Sequence, residues 1–234
     1  MIPIQDTVQA RGVPLVTWSL ILLNGLVFLY EVSLPPEQLQ YLIAMLGFVP
    51  ARVGVDPEAY VTLLTCMFLH GGWMHIIGNM WFLYLFGDNV EDRMGPARFL
   101  IFYLLCGVAA SLTHLVVSPM STMPTVGASG AISGVLGAYL VLFPTARIIT
   151  LVPVLFIPLF FEIPAVVFLG IWFVGQLYSG TLSLLSTQHY EGVAWWAHVG
   201  GFVAGIILLS VFKKGEKEYH HFHADEYWPW KILV

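Results

Sequence analysis

The sequence predicts an all-α polytopic membrane protein, and three observations carry that prediction. Apolar residues make up 58% of the chain and charged residues only 10%, against about a quarter charged in soluble domains. Apolar runs near the ~20 residues needed to cross a bilayer recur along the chain. Basic residues cluster between alternate runs, as they do when a chain weaves through a membrane. Six spans account for the apolar runs, the fourth short and central. One membrane domain over residues 13–212 uses nearly the whole chain, between a short segment at 1–12 and a tail at 213–234. The net charge of −5 gives no sign of a nucleic-acid partner.

Taken in order, the first span runs from about Val13 to Tyr30. No small-residue cleavage pattern follows it, so it reads as an uncleaved anchor. Residues 31–70 form a long connection, within which Glu37 to Leu46 has apolar positions at helical spacing. That pattern predicts an amphipathic helix lying in the interface. The second span runs from about Trp73 to Val90, closed by Glu91, Asp92 and Arg93 and by Gly95-Pro96. The third runs from about Arg98 to Val117. The fourth, Ser129 to Phe143, is too short and too rich in glycine to cover a bilayer by itself, so it belongs in the middle of the bundle. Residues 145–162 contain Pro153 and Pro158 amid apolar residues and read as an interfacial segment. The fifth span is about Ile163 to Leu182, and residues 183–192 form a polar link. The sixth is about Val193 to Phe212, stopped by Lys213-Lys214.

With six spans both termini share a side. Arg11, Arg93, Arg98, Arg147, Lys213, Lys214, Lys217 and Lys231 fall there, and only Arg52 falls opposite. The positive-inside rule then predicts cytoplasmic termini in a multi-pass cell-membrane protein. Cys66 and Cys106 match no metal or redox spacing and read as small apolar fillers.

This topology brings several polar residues to one depth. Ser129 opens the fourth span from the outside, within Gly127-Ala128-Ser129-Gly130. His198 lies about one and a half turns into the sixth span, and His75 and Asn79 lie in the first turns of the second. Each is within roughly 10 Å of the outer boundary at 1.5 Å per residue. His75 and Asn79, four apart, share a helix face. Each has a plainer reading: Gly130, Gly134 and Gly137 are small-residue packing positions, His198 a core histidine on a carbonyl, and Asn79 interhelical glue. Together they make a catalytic set. A serine hydroxyl needs a base, which neutral imidazole supplies. No carboxylate lies near His198 in sequence, so a Ser129–His198 dyad is expected rather than a triad. His75, Asn79 and the Ser129 N–H would stabilise an oxyanion. Gly200, Gly201 and Gly205 would let the sixth span approach the fourth. No cofactor or metal is expected.

In combination and order these motifs resemble the rhomboid family of intramembrane serine proteases. The resemblance rests on His75-xxx-Asn79, Gly127-Ala128-Ser129-Gly130, Ala197-His198-xx-Gly201-xxx-Gly205, and Glu91-Asp92-Arg93 after the second span. It covers nearly all of the chain up to Phe212. It implies a rhomboid-like bundle in the lipid bilayer, with Ser129 as nucleophile, His198 as base and His75 and Asn79 on the oxyanion. The implied substrates are membrane proteins cut in or near a transmembrane segment. The chain departs from the family twice. Many members carry Trp-Arg in the loop before the second span, where this chain has Val61-Thr62. Some place an aromatic four residues after the nucleophile, beneath the base, where this chain has Ser133.

Other readings weigh against this one. A proton-coupled transporter would spread polar groups through the full depth, whereas these gather in the outer half. A haem or metal protein would use His70, His75 and His198, but His70 and His75 straddle Gly71-Gly72 and share no helix face. A non-catalytic relative would not need both Ser129 and His198. His70 reads as a residue that structures the loop, and His114 as facing the interface. In the tail, His220-His221-Phe222-His223 reads as a solvated cluster before it reads as a metal site.

Overall fold

The computed structural model describes residues 1–154, 157–185 and 193–214. Most of the polar link (186–192) and the tail from residue 215, with its histidine cluster, lie outside them. Among the described residues eight α-helices follow in order: α1 Leu15–Ser33, α2 Pro36–Leu46, α3 Ala59–Thr65, α4 Trp73–Met94, α5 Pro96–Val117, α6 Ser129–Leu142, α7 Ala165–Leu185 and α8 Trp195–Phe212. Among the described residues, α1, α5, α7 and α8 are long and apolar enough to cross a bilayer. The α3 region and α4 pass that test as a pair bent by 81°, and α6 is a shorter apolar helix. The faces that α1, α5, α7 and α8 turn away from the bundle carry Leu22, Leu26, Ile101, Leu112, Ile171 and Ile207, all exposed. In water such a surface would be a liability; in lipid it needs no cover.

The helix α6 is the axis of the bundle. Every residue from Gly130 to Tyr139 is buried. Its 14 residues span about 21 Å, less than the ~30 Å hydrocarbon thickness. Packing around it is backbone against backbone. A Cβ built on Gly201 would stand 2.0 Å from the carbonyl oxygen of Gly130, and one on Gly205 would stand 2.0 Å from that of Gly134. Only glycine lets α8 come this near, and the small-residue spacing is the reason it can.

Residues 145–162, read as an interfacial segment, take up strand structure. This segment is an antiparallel hairpin, β2 Arg147–Val154 and β3 Ile157–Pro164. Its β2 strand also pairs with β1, Ile2–Asp6, to give a sheet of order β1-β2-β3. The run Ile148-Ile149-Thr150-Leu151-Val152 is rich in β-branched residues and suits a strand. Pro153 and Pro158 face each other near the hairpin's end, where missing N–H groups disturb the ladder least.

The sheet end of the bundle is held by two buried carboxylates. Glu91 accepts hydrogen bonds from the N–H groups of Val16 (2.9 Å) and Thr17 (2.8 Å) and from the Thr17 hydroxyl (2.8 Å). No side chain at Pro14 caps α1, so a carboxylate from α4 takes that role at the positive end of the helix dipole. Asp6 accepts from the Tyr139 hydroxyl of α6 and from Asn89 Nδ2 of α4, the latter at 2.9 Å. Burial holds the Asp6 carboxyl well above the usual carboxylate range, against the opposing hydrogen bond from Tyr139.

Candidate active site

The four residues singled out in the sequence meet at the opposite end of the bundle. They line one cleft of about 1270 Å³, bordered by the starts of α4, α6 and α8 and by the loop before α6. His198 Nε2 lies 2.8 Å from Ser129 Oγ. Both side chains are half-buried. The contact follows from the glycine packing: α8 can set an imidazole against the first residue of α6 only because Gly201 meets Gly130 backbone to backbone.

Around Ser129 lie donors without acceptors. No side chain caps α6, so its first-turn N–H groups are unclaimed by any cap. Asn79 is buried and its Nδ2 has no hydrogen-bond partner. His75 Nδ1 accepts the Gly71 N–H at 3.3 Å. An accepting Nδ1 leaves the ring proton on Nε2, and that nitrogen faces Gly127. Gly127 has φ +121°, and a Cβ built there would stand 2.6 Å from His75 Nε2. Gly127 thus keeps open the space into which His75 and Asn79 both point. An arrangement of a hydroxyl, a base and converging donors can perform acyl transfer.

Other expectations resolve differently. His70 is buried in the loop, and its backbone N–H is gripped by both carboxylate oxygens of Glu31, each at 3.2 Å. Its ring packs edge to face on His75, centroids 5.3 Å apart. Among the described residues no three His, Cys, Asp or Glu side chains are grouped to hold a metal. His114 lines the cleft instead of facing the interface. The loop that lacks Trp-Arg is fastened by other means. Thr62 is buried and turned onto its own helix, donating to the Ala59 carbonyl. Arg52 pairs with Asp56 and donates to the Ala44 carbonyl at 2.7 Å, while Thr65 Oγ1 donates to that of Leu46.

Ser133, in the position of the family's aromatic, donates to the Ser129 carbonyl at 2.6 Å. The rings beside His198 come from elsewhere, Trp172 of α7 and Trp195 of α8, each with its centroid 6.2 Å away. Gln176 of α7 also reaches His198, its Oε1 2.8 Å from Nδ1. Sequence reasoning missed Gln176. The available signal was the one amide side chain in the fifth span, at the depth of His198.

The chain is similar to known proteins. Residues 57–214 match the family model described as Rhomboid domain. Rhomboid-like protein 11, chloroplastic, of Arabidopsis thaliana is 25% identical over 193 residues, 82% of this chain and 66% of the relative. The putative rhomboid protease YdcA of Bacillus subtilis is 36% identical over 89 residues, 38% of this chain and 44% of the relative. Rhomboid protease GluP of the same bacterium is 45% identical over 78 residues, 33% of this chain and 15% of the relative. The chain thus spans less than two thirds of the length of these relatives. Its apolar helices and this match make it a multi-pass membrane protein, and the chain belongs to the rhomboid family.

Proposed function

We propose that this chain is an intramembrane serine endopeptidase that works through a Ser129–His198 dyad. The 2.8 Å contact between His198 Nε2 and Ser129 Oγ carries the reading. As Ser129 Oγ attacks a substrate carbonyl carbon, His198 takes the hydroxyl proton. The oxyanion that forms accepts from His75 Nε2–H, Asn79 Nδ2–H and the Ser129 backbone N–H. Collapse breaks the peptide C–N bond, and His198 returns its proton to the leaving nitrogen. Water then hydrolyses the acyl-serine ester, with His198 again as base. No cofactor or metal takes part.

The substrates are membrane proteins cut in or near a transmembrane segment, because the cleft opens beside helices whose outer faces suit lipid. Residues 13–212 form the catalytic membrane domain, with 1–12 and 213–234 as cytoplasmic flanks. Eight of nine basic residues support cytoplasmic termini in a cell membrane, with the site in the outer half. Reporters fused after Val234 and within 93–97 will read cytoplasmic, and one near Thr122 external. The decisive experiment is covalent labelling by a serine-directed fluorophosphonate in detergent. Wild-type protein will be labelled at Ser129 and Ser129→Ala will not. Peptide-bond cleavage at full rate by purified Ser129→Ala protein overturns the mechanism.

A further inference from the structure

We infer that Gln176 is the residue that orients the base, setting which nitrogen of His198 carries the proton. This deepens the proposed function and rests on it. Among the five buried residues of α7, Gln176 is the one with a polar side chain. A buried amide in a helix facing lipid is costly unless it is bonded, and both ends of this one are engaged. Its Nε2 donates to the Trp172 carbonyl, one turn back, at 3.4 Å. That carbonyl can only accept, so the amide nitrogen turns toward it and Oε1 turns toward His198 Nδ1, 2.8 Å away.

An oxygen facing Nδ1 can only accept as well. The ring proton therefore sits on Nδ1, and Nε2 is bare, directed at Ser129 Oγ. The chain of constraint runs from the Trp172 carbonyl through Gln176 and His198 to the Ser129 hydroxyl. In serine hydrolases with three partners a carboxylate holds the base in this tautomer. Among the described residues no Asp or Glu lines this cleft. An amide fixes the same tautomer without adding a buried charge. It also answers the absence of an aromatic at Ser133, since the imidazole is held at its far nitrogen as well as between the rings of Trp172 and Trp195.

The test compares Gln176→Met with Gln176→Glu. Methionine keeps the volume and removes the acceptor. Glutamate keeps an acceptor oxygen whether or not it is protonated. Gln176→Met will lower kcat and the fluorophosphonate labelling rate about tenfold, with KM unchanged and no loss of thermal midpoint. Gln176→Glu will recover to within about threefold of wild type. A packing role alone predicts the reverse order, since glutamate is the worse fit in an apolar helix. Glutamate at or below methionine therefore overturns the inference. Nitrogen-15 spectra of histidine-labelled protein, with His198→Ala supplying the assignment, read the tautomer directly. A protonated Nδ1 and bare Nε2 in wild type are expected, shifting to a mixture in Gln176→Met. A bare Nδ1 in wild type overturns the inference whatever the variants do. Wild-type protein that is never labelled at Ser129 overturns the dyad instead, and the spectra still decide the tautomer.

Discussion

The two ends of the bundle treat buried polar groups in opposite ways. At the sheet end, Glu91 and Asp6 accept hydrogen bonds from α1, α4 and α6. Donors there are matched by carboxyl oxygens, and the result ties helices together. At the cleft end Asn79 Nδ2 is buried with no partner, and the first turn of α6 has no side-chain cap. A buried donor left unmatched costs about 1–3 kcal/mol. The fold tolerates this for Asn79 at the end where an anion would form. The difference teaches that polarity at membrane depth serves stability or chemistry according to whether its partners are already present.

Five substitutions sharpen or break that contrast. Ser129→Ala and His198→Ala will each bring proteolysis near background, at least 10³-fold down, or about 4 kcal/mol. The double variant will be little worse, because the pair acts as one unit. Thermal midpoints will stay within a few degrees of wild type; a collapse in stability would mean the cleft end is structural after all.

Asn79→Ala should cost roughly 10- to 10³-fold in kcat, with other oxyanion donors still in place. Its stability should hold or rise, since an unmatched buried amide is removed. Loss of fold without loss of specific activity in the folded fraction would break the comparison.

Glu91→Ala belongs to the other end and is expected to act through stability. It strips two backbone N–H groups and a hydroxyl of their acceptor. A loss of about 2–4 kcal/mol follows from hydrogen bonds to a charged group. Labelling of Ser129 per folded molecule should be unchanged, and calorimetry beside active-site titration separates the two effects.

The smallest effect is expected from Asp6→Asn, and it depends on pH. The folded state raises the Asp6 carboxyl above its ordinary range near 4, chiefly by burial. The folded protein therefore keeps a proton that the unfolded chain releases. The carboxyl's contribution is fully present below about pH 4 and declines as pH rises toward the raised value. Asparagine keeps an acceptor for Tyr139 and removes the titration. Its midpoint should exceed wild type most at pH 8, with the gap shrinking on acidification. A gap independent of pH would show that folding leaves the Asp6 carboxyl in its ordinary range.

Much of this was legible in the sequence. The apolar runs fall within a few residues of the helices, because lipid imposes a length and a composition that local sequence must meet. Ser129, His198, His75 and Asn79 were legible because each carries its context with it: a glycine turn, a glycine-spaced helix, a shared helix face. Contacts between distant residues were not. Glu31 grips His70 across 39 positions, and Asp6 meets Tyr139 across 133. Gln176 and His198 are only 22 apart, yet they lie on two different helices, α7 and α8, whose packing the sequence does not state. The β2–β3 hairpin was missed because its prolines outweighed its β-branched residues in a reading tuned to helices.

The pairing of β1 with β2 has a consequence for how the chain is made. Ile2 pairs with Leu151. A ribosome adding about 5–20 residues each second exposes the first strand some 7–30 s before its partner exists. During that interval α1, α4 and α5 are threaded and α6 follows, while the strand waits with an open edge. The pairing of β1 with β2 therefore cannot close until α1 to α6 have been made, and it seats Asp6 against Tyr139 of the helix that carries Ser129. Shortening the wait, by faster elongation, would change the yield of assembled protein and leave the rate of each assembled molecule untouched.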